Sequence, residues 1–406
     1  MCSSDLIHDS MVLNGEDGTE DFEMSVPTSG WNYRLPGIAD VDNDGDQEIA
    51  LQGNLYDSDG SLLWESGESG SYGFWPVIIQ ADSDPEAEIG FVGDNWTLWE
   101  DDGTQIFSVN YGSVHQPGPP CAGDFDGDGT AEVAWPAYQT FVMYELDGTP
   151  VWSVPMDDTS GLAGCSGYDL NNDGALEILY ADQSSFTIFD GATGAELYVD
   201  NTHRSPTIFE YPTVADIDHD GHAEILVAHY GSGTALTAYV HNGDGWPAAG
   251  TTWNVHDFAI TNINPDGSVP IDPEPSWTKY NVYRARVAAD DPSTPDLAVE
   301  ITDACVADCD YGPIQVGVQV WNEGGADVNA GASLTLFAED STGPRVVATY
   351  SLPAIAAGEI LSGIEFDLEP GDVGVYGVSA TVDVEDSVSE CVETNNSDEY
   401  SEAWCE

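Results

Sequence analysis

Acidic loops that recur every 42 to 47 residues, glycine turns with the same period, and a later change to long alternating strands predict an all-β protein of two domains. The repeats predict a β-propeller of six or seven four-stranded blades over residues 1–289, which we expect to be truncated at the N-terminus. The alternating strands predict a β-sandwich over residues 296–406, and residues 290–295 form the linker. A length of 406 residues accommodates both domains.

The period rests on two kinds of marker that keep the same register. Each loop opens with an aspartate, and these are Asp40, Asp82, Asp124, Asp169 and Asp216. Glycine turns follow, each with an aromatic residue four positions later, in the pairs Gly60 and Trp64, Gly103 and Phe107, Gly148 and Trp152, and Gly194 and Tyr198. No segment shows the 3.6-residue pattern of a helical repeat, so units of this length predict propeller blades.

Within a repeat, four short segments read as strands. An apolar run such as 213–215 leads into the loop, and an alternating stretch such as 224–227 follows it. A third strand such as 141–144 reaches the glycine turn, and a fourth such as 150–153 closes the unit. Five units fit this pattern. Residues 246–289 predict a degenerate sixth blade, and residues 7–29 predict the outer hairpin of a further blade.

About seven alternating strands over roughly 110 residues predict the C-terminal sandwich. Its four cysteines predict two disulfides in an oxidising compartment, with three connectivities open, and these candidates are Cys305, Cys309, Cys391 and Cys405. Cys121 and Cys165 occupy similar places in adjacent repeats, but three and four residues before their loops. That offset points the two side chains to opposite faces of their sheets, so we predict no bridge between them.

The charge is strongly one-sided, with 74 acidic and 6 basic residues and a formal net charge of −68. Such a chain repels nucleic acid at long range, and no stretch is apolar enough for a membrane span. The first residues carry no signal peptide, and we expect that the native N-terminus lies upstream. The acids favour two interpretations, a polyvalent calcium binder or the solvated surface of a halophilic protein.

The loops carry the chemistry. Oxygen-bearing side chains stand at positions 1, 3, 5 and 9, and a glycine stands at position 6. The predicted metal ligands are Asp40, Asp42, Asp44, Asp46 and Glu48 in loop one; Asp124, Asp126, Asp128 and Glu132 in loop three; Asp169, Asn171, Asp173 and Glu177 in loop four; and Asp216, Asp218, Asp220 and Glu224 in loop five. Loop two, with Asp82, Asp84 and Glu88, reads as two residues shorter and lacks the glycine, so its site is predicted to be weak.

Calcium fits these loops because it takes six to eight hard oxygens at flexible geometry. The glycine permits the tight bend, and position 7 offers a backbone carbonyl. Magnesium fits less well, since it keeps several waters. The flanking segments are strands, and no glutamate stands at position 12, so the loops differ from EF-hands. The sequence therefore predicts four Ca²⁺ sites and a fifth, weak one.

These loops resemble those of FG-GAP/VCBS repeats, the blades of integrin-α-like propellers, over residues 31–245. The resemblance implies that the loops bind calcium structurally. The C-terminal region resembles the CARDB group, adhesion-associated immunoglobulin-like modules of surface proteins. That likeness is carried by its Pro295-Asp296-Leu297 start and by Glu393-Thr394-Asn395-Asn396 near its end.

We therefore predict a secreted or cell-surface calcium-binding adhesion or scaffold module, part of a larger surface protein, with an extracellular glycan or protein ligand. An alternative is a calcium-dependent polysaccharide lyase acting on acidic glycans; no catalytic constellation is present in the sequence, and we predict no enzyme. A third interpretation is a purely structural segment. Tryptophans outside the repeat register, Trp96, Trp99, Trp135 and Trp246, are candidates for exposed contacts.

Overall fold

The structure is a computed structural model that describes residues 6–8, 11–13, 19–25, 35–68, 73–112, 117–205, 210–218, 221–230, 233–242, 245–264, 267–270, 273–287, 295–305, 314–322, 324, 327–340, 343–356, 358–368, 377–384, 388 and 396–400. Contacts divide the chain into two compact units. The first holds residues 1–215, 224–246 and 252–288, and the second holds residues 216–223, 247–251 and 289–406. None of the helices in the described ranges is long and apolar enough to cross a membrane.

The first unit is built of small sheets whose consecutive strands pair antiparallel. An N-terminal sheet has three strands, β1 (Leu6–His8), β2 (Met11–Leu13) and β3 (Glu20–Glu23). Blade 1 consists of β4 (Gly37–Ala39), β5 (Glu48–Leu51), β6 (Asn54–Tyr56) and β7 (Leu62–Glu65). Blade 2 consists of β8 (Trp75–Ile79), β9 (Glu88–Val92), β10 (Trp96–Trp99) and β11 (Gln105–Val109).

Three further blades follow the same order. Blade 3 consists of β12 (Cys121–Gly123), β13 (Glu132–Ala137), β14 (Thr140–Glu145) and β15 (Pro150–Pro155). Blade 4 consists of β16 (Cys165–Tyr168), β17 (Glu177–Ala181), β18 (Phe186–Phe189) and β19 (Glu196–Asp200). Blade 5 has three described strands, β20 (Thr213–Ala215), β21 (Glu224–Ala228) and β22 (Leu236–Tyr239). This series of sheets confirms the predicted propeller, and loops one to five lie between the first two strands of blades 1 to 5.

Burial within a blade follows strand order. The second and third strands of blade 2 are buried at every position, whereas its outer strand β11 contains only exposed and half-buried residues. The core therefore lies between neighbouring blades. Trp96 and Trp135 are fully buried there with ring centroids 5.8 Å apart, and Trp99 is also buried. Their predicted exposure is wrong, because the apolar middle strands put these rings into the contact between blades.

The aromatic residues after the glycine turns join successive blades. Trp64 of blade 1 stacks on Trp99 of blade 2 and donates its indole N–H to the carbonyl of Asp101 at 2.7 Å. Its ring also lies against Gly103, where an added Cβ would be 2.7 Å from the ring. Trp152 of blade 3 makes the equivalent hydrogen bond to blade 4. The repeat register of glycine and aromatic residue is therefore an interblade packing signal.

Residues 246–289 do not form the predicted sixth blade within their described ranges. They contain a short helix, α1 (Ser276–Lys279), and a two-residue strand, β23 (Ala285–Arg286), which pairs parallel with β16. Tyr283 exchanges backbone hydrogen bonds with Ala122 of β12 at 2.8 and 3.0 Å. This axial segment, residues 281–286, thus lies along the first strands of several blades. Its polar backbone is satisfied by those strands rather than by a hairpin of its own.

Two arginines secure the axial segment. Arg284 is fully buried and donates to the carbonyls of His256 and Pro120 at 2.6 and 3.1 Å. Arg286 donates to the carbonyl of Thr252 at 2.6 Å. The chain has six basic residues, and the side chains of these two donate hydrogen bonds to backbone carbonyls in the interior. They are therefore not placed to bind an acidic ligand at the surface.

A disulfide joins Cys121 and Cys165, with Cα atoms 5.5 Å apart. The prediction that these cysteines stay unpaired is wrong. Cys121 begins β12 and Cys165 begins β16, the first strands of blades 3 and 4. Opposite faces of equivalent sheets are the faces that meet between neighbouring blades. The one-residue offset therefore brings the two side chains together.

The second unit contains a β-sandwich. One sheet holds β24 (Leu297–Cys305), β25 (Ile314–Asn322) and β28 (Ile360–Leu368); the other holds β26 (Ser333–Asp340), β27 (Gly343–Ser351), β29 (Val378–Val382) and β30 (Ser397–Tyr400). Alternate residues such as Val316, Val318 and Val320 point into a common apolar core with Leu334 and Leu336. The sandwich is confirmed.

Candidate metal centres

The first aspartate of each well-described loop organises the loop backbone. In loop three, Asp124 Oδ1 accepts the N–H groups of Gly127 and Asp128 at 2.7 and 3.2 Å, and its Oδ2 accepts the N–H of Gly129 at 2.9 Å. Asp40 in loop one binds the N–H groups of Asp44 and Gly45 in the same way. Short polar side chains fold tight turns by accepting backbone N–H groups. This aspartate therefore curls the loop around one point.

Two positions of these loops adopt left-handed backbone. The glycine at position 6 has φ of +97° at Gly45 and +91° at Gly129, as the sequence predicts. Position 4 is left-handed as well, with φ of +58° at Asn43 and +56° at Asn172. Asparagine and glycine tolerate this conformation best, so the residue type at position 4 is a signal that the sequence reasoning did not use.

The glutamate at position 9 closes each loop. Glu132 Oε2 accepts the N–H of Phe125 at 2.8 Å, and Glu48 Oε2 accepts that of Val41 at 2.9 Å. The second oxygen, Oε1, is buried without a hydrogen-bond partner in Glu132 and in Glu88. A buried carboxylate oxygen without a partner costs free energy unless a cation or a donor reaches it. It is the atom that a bound ion would satisfy.

Loop two corrects the predicted register. Glu88 Oε2 accepts the N–H of Ala81, and Glu88 pairs with Ile79 just as Glu132 pairs with Gly123 in loop three. Position 1 is therefore Gln80, and loop two has the same length as the others. Because Gln80 replaces the aspartate and Pro85 replaces the glycine, counting from Asp82 made the loop look two residues shorter. The Gln80 side chain amide donates to the carbonyls of Asp84 and Glu86 instead.

The structure brings carboxylates together in four loops. In each of these groups one oxygen per residue lies within 4.8 Å of the others. The groups are Asp40, Asp42 and Glu48; Asp82, Asp84 and Glu88; Asp124, Asp126, Asp128 and Glu132; and Asp216, Asp218 and Glu224. Loop three thus offers four carboxylates, the largest group in the described ranges.

Some predicted ligands do not join these groups. Asp44 and Asp46 lie on the exposed side of loop one, where Asp44 Oδ1 accepts the N–H of Asp46 at 3.0 Å. Loop four is fully described but does not form a comparable carboxylate group. There the Asn171 amide donates to Glu177 Oε1 at 3.0 Å, and Asp169 accepts from Asp173 and Gly174. Asp220 of loop five lies outside the described residues.

The chemistry of the donor set fits a hard divalent cation. Within loop three the side-chain donors are carboxylate oxygens, and the loop leaves its exposed side open to water or backbone oxygens. Two carboxylates about 4.8 Å apart repel by about 1 kcal/mol in water and by about 3 to 4 kcal/mol at an effective dielectric constant of 20. A cation reverses that sign, and calcium accepts this number and flexibility of oxygen ligands.

Burial and mutual repulsion raise the pKa of the loop glutamates when no ion is bound. Burial is the largest cause, and nearby aspartates add to it. The pKa rises to about 8 for Glu48 and Glu132 and to about 7 for Glu88 and Glu177. A bound cation would favour the ionised forms. An ion bound in these loops would therefore displace protons from the glutamates.

Hydrogen bonds connect one loop to the next. The N–H of Leu176 in loop four donates to the carbonyl of Asp124 in loop three at 2.9 Å. The N–H of Ala87 in loop two donates to the carbonyl of Val41 in loop one at 2.8 Å, and the Asn43 amide donates to the carbonyl of Pro85. Hydrogen bonds thus join loop one to loop two and loop three to loop four.

The predicted disulfides of the C-terminal domain fall where the structure gives no side-chain description. Cys309, Cys391 and Cys405 lie outside the described residues, and Cys305 is described only as the last backbone position of β24. Their pairing stays a prediction.

Two family models match the chain. Residues 169–227, which contain loops four and five, match the FG-GAP-like repeat, and residues 294–399 match CARDB. Two separate segments of the chain are therefore similar to an FG-GAP-like repeat and to CARDB, in that order. A search of curated proteins found no significant match.

Solved structures with a similar fold include the Vibrio cholerae biofilm matrix protein Bap1, which is 17% identical with a TM-score of 0.56 over 70% of this chain and 74% of that one. The CARDB domain of a Pyrococcus furiosus protein, solved with di-metal ions, is 24% identical with a TM-score of 0.22 over 28% of this chain and 90% of that one. The rhamnogalacturonan lyase YesW is 14% identical with a TM-score of 0.38 over 93% and 78%. The likeness to Bap1 supports the propeller fold.

Proposed function

We propose that the first unit is a calcium-binding propeller in which Ca²⁺ holds the blade loops rigid. The observation that carries this proposal is loop three, where Asp124, Asp126, Asp128 and Glu132 converge within 4.8 Å and Glu132 Oε1 is buried without a partner. A solvated acidic turn has no need to bury a carboxylate. Loop one has the same hydrogen bonds to Asp40 and Glu48. A role for calcium in holding the loop structure would therefore be shared by several blades.

Calcium is favoured over other ions by the donor type and by the loop shape. The converging donors are oxygens, which excludes ions that select imidazole or thiolate. Magnesium demands near-octahedral geometry and keeps several waters, whereas loop three supplies up to four carboxylates. In a chain of net charge −68, each bound Ca²⁺ also lowers the repulsion that opposes compaction.

We further propose that the protein is an extracellular adhesion or scaffold module. An FG-GAP-like repeat joined to a CARDB domain supports this proposal, as does a propeller fold similar to that of a biofilm matrix protein. The Cys121–Cys165 disulfide supports an oxidising compartment. We expect an extracellular glycan or protein as the partner, and we propose that the chain is part of a larger surface protein.

Calorimetric unfolding of the full chain in excess Ca²⁺ and in EGTA tests the calcium role. We expect the propeller transition to fall by many degrees on chelation and the CARDB transition to stay nearly unchanged. Scans in 2 M KCl with EGTA serve as the control. If concentrated KCl restores the propeller transition as fully as millimolar Ca²⁺, charge screening explains the acidity and the calcium proposal fails.

The adhesion role is tested by binding of the full chain to glycan and protein arrays with and without Ca²⁺. Calcium-dependent binding supports a recognition module, and a blank array supports a purely structural segment. We propose no catalytic activity. Release of unsaturated products from pectin-like polymers would overturn that statement in favour of the lyase alternative.

A further inference from the structure

Two histidines meet between blades 4 and 5, away from the acidic loops. His203 follows the outer strand β19, and His229 directly follows Ala228, the last residue of β21. Loop five enters β21 at its other end, through Glu224. Five strand residues span about 15 Å, so the histidine pair lies at the opposite end of the blade from the carboxylates.

The ring nitrogens of the histidine pair are buried. His203 has no exposed surface, and the two ring centroids lie 4.7 Å apart with the planes inclined by 53°. All four ring nitrogens are buried, and none has a hydrogen-bond partner of ordinary geometry among the described residues, although the backbone of Asp182 interacts with the His203 ring. Buried polar atoms in folded proteins are nearly always satisfied. Four such nitrogens in one place indicate a ligand rather than apolar packing.

The spacing of the two rings suits one shared metal ion. A metal about 2.0–2.1 Å from an imidazole nitrogen lies about 3.2 Å from the ring centroid. Two rings on the same ion then have centroids about 5.2 Å apart at a tetrahedral angle and about 4.5 Å apart at a right angle. The observed 4.7 Å falls between these limits.

The surroundings keep the His203 imidazole neutral and supply a compensating charge. Burial, followed by the neighbouring His229, lowers the pKa of His203 to about 4. The Asp200 carboxylate interacts electrostatically with His229 and is held by the Tyr239 hydroxyl at 2.6 Å and the Thr202 N–H at 2.7 Å. Arg204, the nearby cation, donates to the carbonyls of Ser184, Asn201 and His203.

We propose that His203 and His229 form a second type of metal site, which binds a borderline transition-metal ion such as Cu²⁺ or Zn²⁺ through two imidazole nitrogens. Neutral imidazole is the ligand these ions prefer, and it is a poor ligand for calcium. Water completes the coordination sphere. The site is independent of the calcium loops, because it shares no residue with them.

The test is titration of the full chain with Cu²⁺ in saturating Ca²⁺, followed by electron paramagnetic resonance. We expect one high-affinity equivalent whose spectrum shows coupling to two nitrogens. His203→Gln and His229→Gln should each weaken that binding at least tenfold. His241→Gln, which removes an exposed histidine, is the matched control and should leave it unchanged.

The wild-type spectrum keeps the test decisive even if a buried variant folds poorly. Bound copper with oxygen ligands alone overturns the assignment. Nitrogen coupling that persists in the double variant of His203 and His229 overturns it as well, because another histidine then holds the ion. Loss of the calcium effect on stability would leave this site untouched, so the two proposals fail separately.

Discussion

Replacement of Glu132 by glutamine changes the balance between the empty and the calcium-loaded form of loop three. Glutamine keeps the shape of the side chain, and its carbonyl oxygen accepts the Phe125 N–H as Oε2 does. It removes the negative charge from the buried position whose Oε1 has no partner. We expect Glu132→Gln to stabilise the calcium-free protein and to weaken its stabilisation by calcium.

The size of the first effect follows from the pKa of Glu132. The group has an ordinary pKa of 4.5, which burial raises to about 8 in the folded state without an ion. A raised carboxyl pKa contributes its full stability below pH 4.5, and that contribution is lost as the pH rises toward 8. One pH unit corresponds to about 1.4 kcal/mol, so the penalty at pH 7 reaches about 3 kcal/mol as an upper limit. Glutamine removes that penalty.

The second effect follows from ligand loss. Removing one charged ligand should weaken calcium binding to this loop at least tenfold, or about 1.4 kcal/mol. The assay is differential scanning calorimetry at pH 7 in EGTA and in excess Ca²⁺, with the exposed Glu196→Gln as a charge-matched control. We expect the variant's propeller midpoint to be higher than the wild-type midpoint in EGTA and lower than it in excess Ca²⁺, so that the difference between the two conditions becomes smaller. An equal drop of both midpoints would refute the reasoning, because Glu132 would then serve packing alone.

Three further predictions concern the bridge, the glycines and pH. Replacing Cys121 and Cys165 by alanine should lower the free energy of unfolding of the propeller in urea by about 2–4 kcal/mol, because the bridge spans 44 residues of chain; an unchanged free energy of unfolding would contradict this. Gly129→Ala should lower the free energy of unfolding by about 1–2 kcal/mol through backbone strain alone, because no atom lies within 4 Å of the added Cβ. Gly103→Ala should lower it further, because its Cβ would also lie 2.7 Å from Trp64. Equal losses in unfolding midpoint for the two variants would contradict this. Calcium binding at pH 7 should release protons, and its affinity should increase as the pH rises from 6 to 8, because the glutamates of the calcium-free loops have pKa values of about 7 to 8. Binding heats that are the same in buffers of different ionisation enthalpy would contradict this prediction.

The acidic loops were predictable because their chemistry is local. Alternating aspartates, a glycine and a buried glutamate within nine residues specify the turn through hydrogen bonds such as Gly129 N–H to Asp124. Loop two was misread because its first position is Gln80, which does not resemble an aspartate in a pattern of charges. Only the pairing of Glu88 with Ile79 reveals the shared register.

Features that depend on distant parts of the chain were not predictable in the same way. The Cys121–Cys165 bridge needs the relative orientation of two neighbouring sheets, which face alternation along a single strand does not give. The burial of Trp135 needs the partner blade, and the pairing of Arg286 with Tyr168 needs two strands more than a hundred residues apart. No local pattern in residues 246–289 indicates that they pair with earlier strands.

The axial segment has a consequence for how the chain is made. The Asn281 side chain bonds both the N–H and the carbonyl of Gln80, 201 positions earlier in the chain. At translation rates of about 5–20 residues per second, about 10–40 s separate the synthesis of these partners. During that interval the first strands of the early blades lack the neighbour that later covers them. The contacts that the axial segment makes with the early blades therefore form only after some 200 further residues have been synthesised.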